Sequence, residues 1–313
     1  MPVQPTPRPW QVLAADLALL VVAAVWGAGY PVSALAIRSI TPLWLLGIRF
    51  AIAGTAMVLL FRRHLRGFDW RGALPVYALS LVMALSYLLH IYALTLSTAA
   101  KQSFIAGTSV AMVPFVSAAF HRCWPSRVAL AGSLVTSLGL SVLAFTPGMA
   151  FNGGDALSLL MAVTIALHVV LCAACIRKHD ALAVATIQIL CGGMVFLLGA
   201  VLLEPLPDFR FTPGLWRSIL FLALLATVFP FGVQCVALRY THEVHAGILL
   251  ALESPFGYGV AILMGQERLR GQGLVAGAIL LAGVLLAESE LWRGPSRERT
   301  EPEEAEEAAE EVG

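Results

Sequence analysis

The chain has 313 residues, of which 59% are hydrophobic and 12% charged, and its formal net charge is +1. A soluble domain carries about 25% charged residues, so the composition excludes an ordinary soluble globular protein. The net charge says nothing about a nucleic-acid partner, and no basic stripe points to one.

The apolar residues fall into runs of about 20, the length that crosses the hydrocarbon core of a bilayer. The expected fold is an all-α polytopic membrane protein with ten transmembrane helices, arranged as two inverted five-helix repeats. Residues 1–13 read as a cytoplasmic N-terminal segment. MPVQPTPRPW has one Arg, four Pro and no short apolar core with a small-residue cleavage site, so it is not a signal peptide. Spans are expected over 14–36, 43–61, 73–93, 102–120, 128–146, 156–176, 183–203, 216–238, 244–264 and 272–289. The connections carry the usual breakers, among them Thr41-Pro42, Thr146-Pro147-Gly148, Asn152-Gly153-Gly154 and Glu204-Pro205-Leu206-Pro207. These divide the chain into a first repeat over 14–146, a linker over 147–155, a second repeat over 156–290 and a tail over 291–313. The Glu-rich tail has almost no large apolar residues, which is the composition of a disordered, solvated cytoplasmic segment.

The duplication rests on residue matches. A shift of 139 lays Asp16, Leu20, Ala23, Ala34, Ile37 and Arg38 over Asp155, Leu159, Ala162, Ala173, Ile176 and Arg177. Further on the shift grows to 144–145. His90-Ile91-Tyr92-Ala93-Leu94 then meets Gln234-Cys235-Val236-Ala237-Leu238, and Ala131-Gly132 meets Ala276-Gly277. Five spans is an odd number, so the second copy enters the membrane upside down, the plan of secondary transporters with a midplane site between the halves. With the N-terminus inside, 13 Lys and Arg lie on the inner side and 6 on the outer. This bias places both termini in the cytoplasm of a plasma-membrane protein.

Trp26-Gly27 in the first span, Arg49-Phe50-Ala51-Ile52-Ala53-Gly54 in the second, and LALESPF (250–256) followed by Gly265-Gln266-Glu267-Arg268-Leu269 resemble the drug/metabolite transporter superfamily, in its EamA-domain branch. The resemblance covers residues 14–290. It implies ten helices, a central cavity lined mainly by helices 1, 3, 4, 6, 8 and 9, and transport of amino acids or other small metabolites, often outward.

Ionisable groups at mid-bilayer cost roughly 2.5–3.5 kcal/mol on insertion scales and usually face the bundle interior. Glu253 lies near the centre of the ninth span, before Ser254-Pro255. It is read as a substrate-binding or protonatable carboxylate, against a structural acid bonded to a neighbouring helix. His168 falls over Gly29 in the repeat, beside Tyr30-Pro31, where Gly and Pro weaken the helix. His90 falls over Gln234 and shares a face with Ser86. With Trp26 and Tyr87, these make the candidate substrate-binding set: Glu253, His168, Trp26, Gly29, Tyr30, Ser86, Tyr87, His90 and Gln234. Arg49 and its counterpart Gln188 are read as structural polar groups, with Arg49 paired to Glu253 or to backbone carbonyls. Lys101 is read as snorkelling to the outer surface, against a role in meeting substrate there. The five Cys, including the Cys172-x-x-Cys175 pair, are read as packing residues without metal or redox chemistry.

The expected partners are a small-molecule substrate and the lipid bilayer, with proton coupling as one use of Glu253. The Gly273–Gly277 seam serves either a dimer or packing within one chain, so a monomer or a homodimer is expected. No cofactor, metal or nucleic acid is implied. An intramembrane enzyme would need a nucleophile–base set or a metal motif, and none is legible. A scaffold would not need a duplicated midplane polar set. The leading function is therefore a secondary transporter, an exporter of a small polar or amphipathic metabolite, working by alternating access.

Overall fold

The structure is a computed structural model that describes residues 8–122, 126–144, 151–208, 211–269, 271, 275–279, 281–283 and 285–286. Most of the N-terminal segment, Cys123, most of the 147–155 linker's first half and the acidic tail lie outside the described residues. Among those described, every regular element is helical.

In chain order the helices are α1 (Pro9–Ala36), α2 (Pro42–Leu65), α3 (Leu74–Leu96), α4 (Ala99–Gly107), α5 (Ser109–His121) and α6 (Arg127–Ala144). There follow α7 (Gly153–Ile176), α8 (Ala181–Leu203), α9 (Pro213–Leu220), a π-helical segment (Phe221–Val228), α10 (Phe229–Ala237), α11 (Glu243–Leu250) and α12 (Glu253–Leu263). Read as continuous rods, eight of these stretches are long and apolar enough to cross a membrane. The fifth and tenth expected spans correspond to α6 and to helical residues within 271–286.

The boundaries follow from local chemistry. Pro42 occupies the first turn of α2, where its missing N–H costs nothing, and the Glu204 carboxylate accepts from the Leu43 and Trp44 N–H groups there. Asn152 opens α7 in a reciprocal cap with Asp155, and Asp180 caps α8 by accepting from Leu182 and Ala183. On α1 the buried positions Leu19, Val22, Ala23, Gly27 and Tyr30 recur at helical spacing, while Leu13, Leu17 and Val21 stay exposed. In a bilayer such exposed apolar residues face lipid.

Among the described residues, α2 kinks at Phe61 and three further rods are interrupted. The fourth breaks at Thr108, between α4 and α5, and the ninth at Ala251–Leu252, between α11 and α12. Pro255 explains the second break. It has no N–H for the Ala251 carbonyl, which instead accepts from Ser254 one residue earlier. The break precedes Glu253, so this residue opens a half-helix. The eighth rod carries the π-helical turn just before Pro230. The first rod differs from expectation: α1 runs unbroken through Gly29 and Pro31. The α12 backbone packs closely against it. A Cβ on Gly27 would lie 2.3 Å from the Glu253 carbonyl oxygen and 2.7 Å from the Gly257 nitrogen.

The core is shared between the two halves of the chain. The most extensive helix contact joins α2 to α8, and the next joins α3 to α7. Glycines make the first of these close: Gly47 meets Leu197, Gly54 meets Leu190, and Gly193 meets the backbone of Phe50. α6 packs on α4, α5 and α11, and Gly283 lies directly against Thr136 of α6.

Candidate functional site

Between the helices lies a cavity of about 100 Å³, room for several waters. All nine residues of the candidate set line it. Trp26, Gly29 and Tyr30 reach it from α1, and Ser86, Tyr87 and His90 from α3. His168 comes from α7, Gln234 from α10 and Glu253 from α12. Arg49 of α2 also faces it, whereas Gln188 sits one layer behind, its Oε1 2.7 Å from His168 Nε2. Neither α6 nor the helical residues in 271–286 contribute to the lining.

Glu253 is almost fully buried, and its Oε1 accepts a 3.1 Å hydrogen bond from the Tyr30 hydroxyl. The Tyr30 ring stands edge-on to His90, with centroids 4.9 Å apart. Phe231 is the aromatic centre of the cavity, touching Trp26, Tyr87 and His168. Ser86 donates to Thr164 at 2.7 Å. Several buried polar atoms have no protein partner: His90 Nδ1, and both Nε2 and Oε1 of Gln234. An unpartnered buried donor or acceptor costs roughly 1–3 kcal/mol.

Arg49 has a different set of bonds from an ion pair with Glu253. Its Nε donates to Thr227 Oγ1 at 2.8 Å and its Nη2 to the Ala226 carbonyl at 3.0 Å, with a longer contact to the Tyr87 hydroxyl. Its guanidinium also lies 4.9 Å from the Tyr87 ring centroid, within cation–π range. The reason is Pro230. Four residues beyond Ala226, it has no N–H to give that carbonyl. Arg49 supplies one donor, and Trp26 Nε1 supplies another at 3.2 Å. Arg49→Lys should lower stability by about 2 kcal/mol, because a point charge cannot bridge Thr227 and Ala226 together. Thermal unfolding in detergent would read this as a clear drop in midpoint. Tyr87→Phe, which removes only the 3.4 Å bond, should shift the midpoint far less.

Of the lining residues outside the sequence-derived set, Ser109 and Phe231 stand nearest to its polar and aromatic members in sequence or contact. Ser109, at the first turn of α5, lines the cavity opposite Glu253 at the first turn of α12. The shift of 144 between repeats places Ser109 over Glu253, and that signal was available. Phe231 offered only its position three residues before Gln234, on the same helix face.

Lys101 departs from expectation. It does not snorkel to water: it is buried, and its Nζ lies 2.6 Å from Asp155 Oδ2. A snorkelling lysine needs open water above it, and α7 covers that path. The cysteines Cys172 and Cys235 are free and buried side by side, with sulfurs 3.4 Å apart. Among the described residues, no group of three or more His, Cys, Asp or Glu could hold a metal ion.

A bundle of helices, eight of them long and apolar enough to cross a membrane, defines a multi-pass integral membrane protein. The EamA-like transporter family matches this chain twice, over residues 13–145 and 152–288, and the chain belongs to that family. An uncharacterized transporter of Archaeoglobus fulgidus is 28% identical over 258 residues, spanning 80% of this chain and 79% of the relative. A solved crystal structure superposes with a TM-score of 0.75, covering 91% of this chain and 99% of that one at 19% identity. That likeness is one of fold.

Proposed function

We propose that the protein is a secondary transporter that moves a small polar or amphipathic metabolite, such as an amino acid, by alternating access through this cavity. The carrying observation is the lining itself. Glu253, Gln234 and His90 present polar atoms that protein does not fully occupy, while Trp26, Tyr30, Tyr87 and Phe231 supply an apolar wall. Such a lining suits a solute with an ammonium or hydroxyl group at one end and an apolar body. Gln234 and His90 would meet the polar end of the solute, and Glu253 would carry the coupling proton.

In this reading the ten spans form two inverted five-helix repeats, both termini lie in the cytoplasm, and the membrane is the plasma membrane. Transport runs outward, as the family resemblance implies, and a proton on Glu253 couples it to the gradient. Support for inversion comes from residue pairs related by the repeat shifts. Asp16 of α1 meets His245 of α11, and their counterparts Asp155 of α7 and Lys101 of α4 meet each other. The unit is a monomer, or a homodimer in which each copy keeps a complete cavity.

The test is a panel of radiolabelled amino acids and related solutes in proteoliposomes, with and without an imposed proton gradient. At least one solute should accumulate in a gradient-dependent way and be displaced by unlabelled solute. Failure of the whole panel to exchange would overturn the proposed substrate class.

A further inference from the structure

Among the described residues, two acid–base pairs lie largely out of water and away from the cavity lining. Lys101 Nζ lies 2.6 Å from Asp155 Oδ2, with side chains 8% and 0% exposed. His245 Nε2 lies 3.1 Å from Asp16 Oδ1, with side chains 10% and 16% exposed. The shift of 139 carries Asp16 onto Asp155, and the shift of 144 carries Lys101 onto His245. The same acid thus opens the first rod of each repeat, and the same basic position sits on the interrupted rod of each.

The interrupted rods give these pairs a mechanical meaning. Lys101 lies on α4, eight residues before Ser109, and His245 on α11, eight residues before Glu253. At 1.5 Å per residue, each pair stands about 12 Å along its rod from the cavity. Each half-helix ends at a break, Thr108 for α4 and Ala251–Leu252 for α11, where a rod can pivot. Lys101 ties α4 to α7, and His245 ties α11 to α1. The ties are therefore placed on the two buried half-helices that end at a break, one toward each end of the cavity.

We infer that Lys101–Asp155 and Asp16–His245 are the two gates of one transport cycle, each holding one end of the cavity shut, and that opening either requires the other to be closed. The inference rests on the alternating-access reading above. Both pairs are made in this structure. The two gates are unequal. Asp155 also accepts from the Ser97 hydroxyl and the Asn152 N–H, and its base is a lysine. The other pair is longer, at 3.1 Å, and its side chains are more exposed. The Asp16–His245 end is therefore the one that opens more readily at rest.

Hydrogen–deuterium exchange on the full-length protein reads this without any solute, so its outcome stands apart from the solute panel. Lys101→Met should speed exchange at the starts of α4 and α7 and, because the gates are coupled, slow it at the starts of α1 and α11. Each change should be at least about fivefold, the lower range of coupling between linked sites. Asp16→Asn should give the mirror pattern. His245→Lys, which rebuilds a lysine–aspartate pair, should slow exchange at α1 and α11 relative to the unmodified protein. Faster exchange confined to the substituted end, with the far end unchanged, would make the pairs local structural bonds and overturn the inference. Should Lys101→Met fail to fold, Asp16→Asn and His245→Lys decide the matter alone, since opposite shifts at the far end are required of them.

Discussion

Replacing Glu253 with Gln is expected to abolish gradient-driven accumulation of solute, by about 100-fold or roughly 2.7 kcal/mol, while exchange of labelled for unlabelled solute persists. The reasoning starts from burial. A carboxylate deep in a bilayer is tolerated with either a cation or a proton as its partner. Arg49, the cation facing the same cavity, spends its donors on Thr227, Ala226 and Tyr87. The Tyr30 hydroxyl donates to Oε1, and Glu253 lines the cavity. A proton is then the natural companion of Glu253, and its exchange is the step that Gln cannot perform. Gln keeps the shape and the bond from Tyr30, so binding should survive. If exchange is lost together with accumulation, the residue is an anchor for a substrate amine. If both remain near normal in a folded variant, it is structural. Proteoliposome uptake and counterflow on one preparation separate these outcomes.

Much of this site was legible in the chain because membrane helices make polarity conspicuous. Glu253, His168, His90 and Gln234 stand out against their apolar runs, and each lines the cavity. The partners of Arg49 were only half legible. A backbone carbonyl was a foreseeable partner, but which one depends on Pro230 removing a donor from Ala226 in a helix distant in sequence. Lys101 was misread because a lysine at the start of a span ordinarily reaches water, and the cover that α7 provides exists only after packing. The break at Thr108 left no mark, since no proline stands four residues beyond Gly107. Phe231 was missed for the opposite reason: in an apolar run one more phenylalanine carries no signal.

Gly27→Ala is expected to damage both stability and transport, whereas Gly29→Ala, two residues away, should leave stability near that of the unmodified protein. A methyl on Gly27 would fall 2.3 Å from the carbonyl oxygen of Glu253 and 2.7 Å from the Gly257 nitrogen, both of them backbone atoms that cannot turn aside. α1 and α12 must separate, and such overpacking costs about 1–3 kcal/mol. The separation also moves the turn that carries Glu253, so transport should fall by about tenfold or more, as misplacement of a reacting group does. At Gly29 the nearest atom to an added methyl is 3.9 Å away, an ordinary contact. Thermal unfolding in detergent and uptake by proteoliposomes would be measured on both variants. Equal stability of the two would contradict the backbone contact between α1 and α12.

The close seam between α2 and α8 bears on how the protein is made. Gly47 and Gly54 on α2 are covered by Leu197 and Leu190, which belong to a helix translated more than a hundred residues later. The first five helices therefore leave the ribosome with a groove still bare, in a membrane crowded with other newly inserted helices. α2 must wait there, and only the arrival of α8 completes its surroundings. The nascent chain passes through a half-built state open to chaperones, wrong neighbours and quality-control proteases. A substitution at Gly54 would then reduce the yield of finished protein before it ever altered a rate of transport.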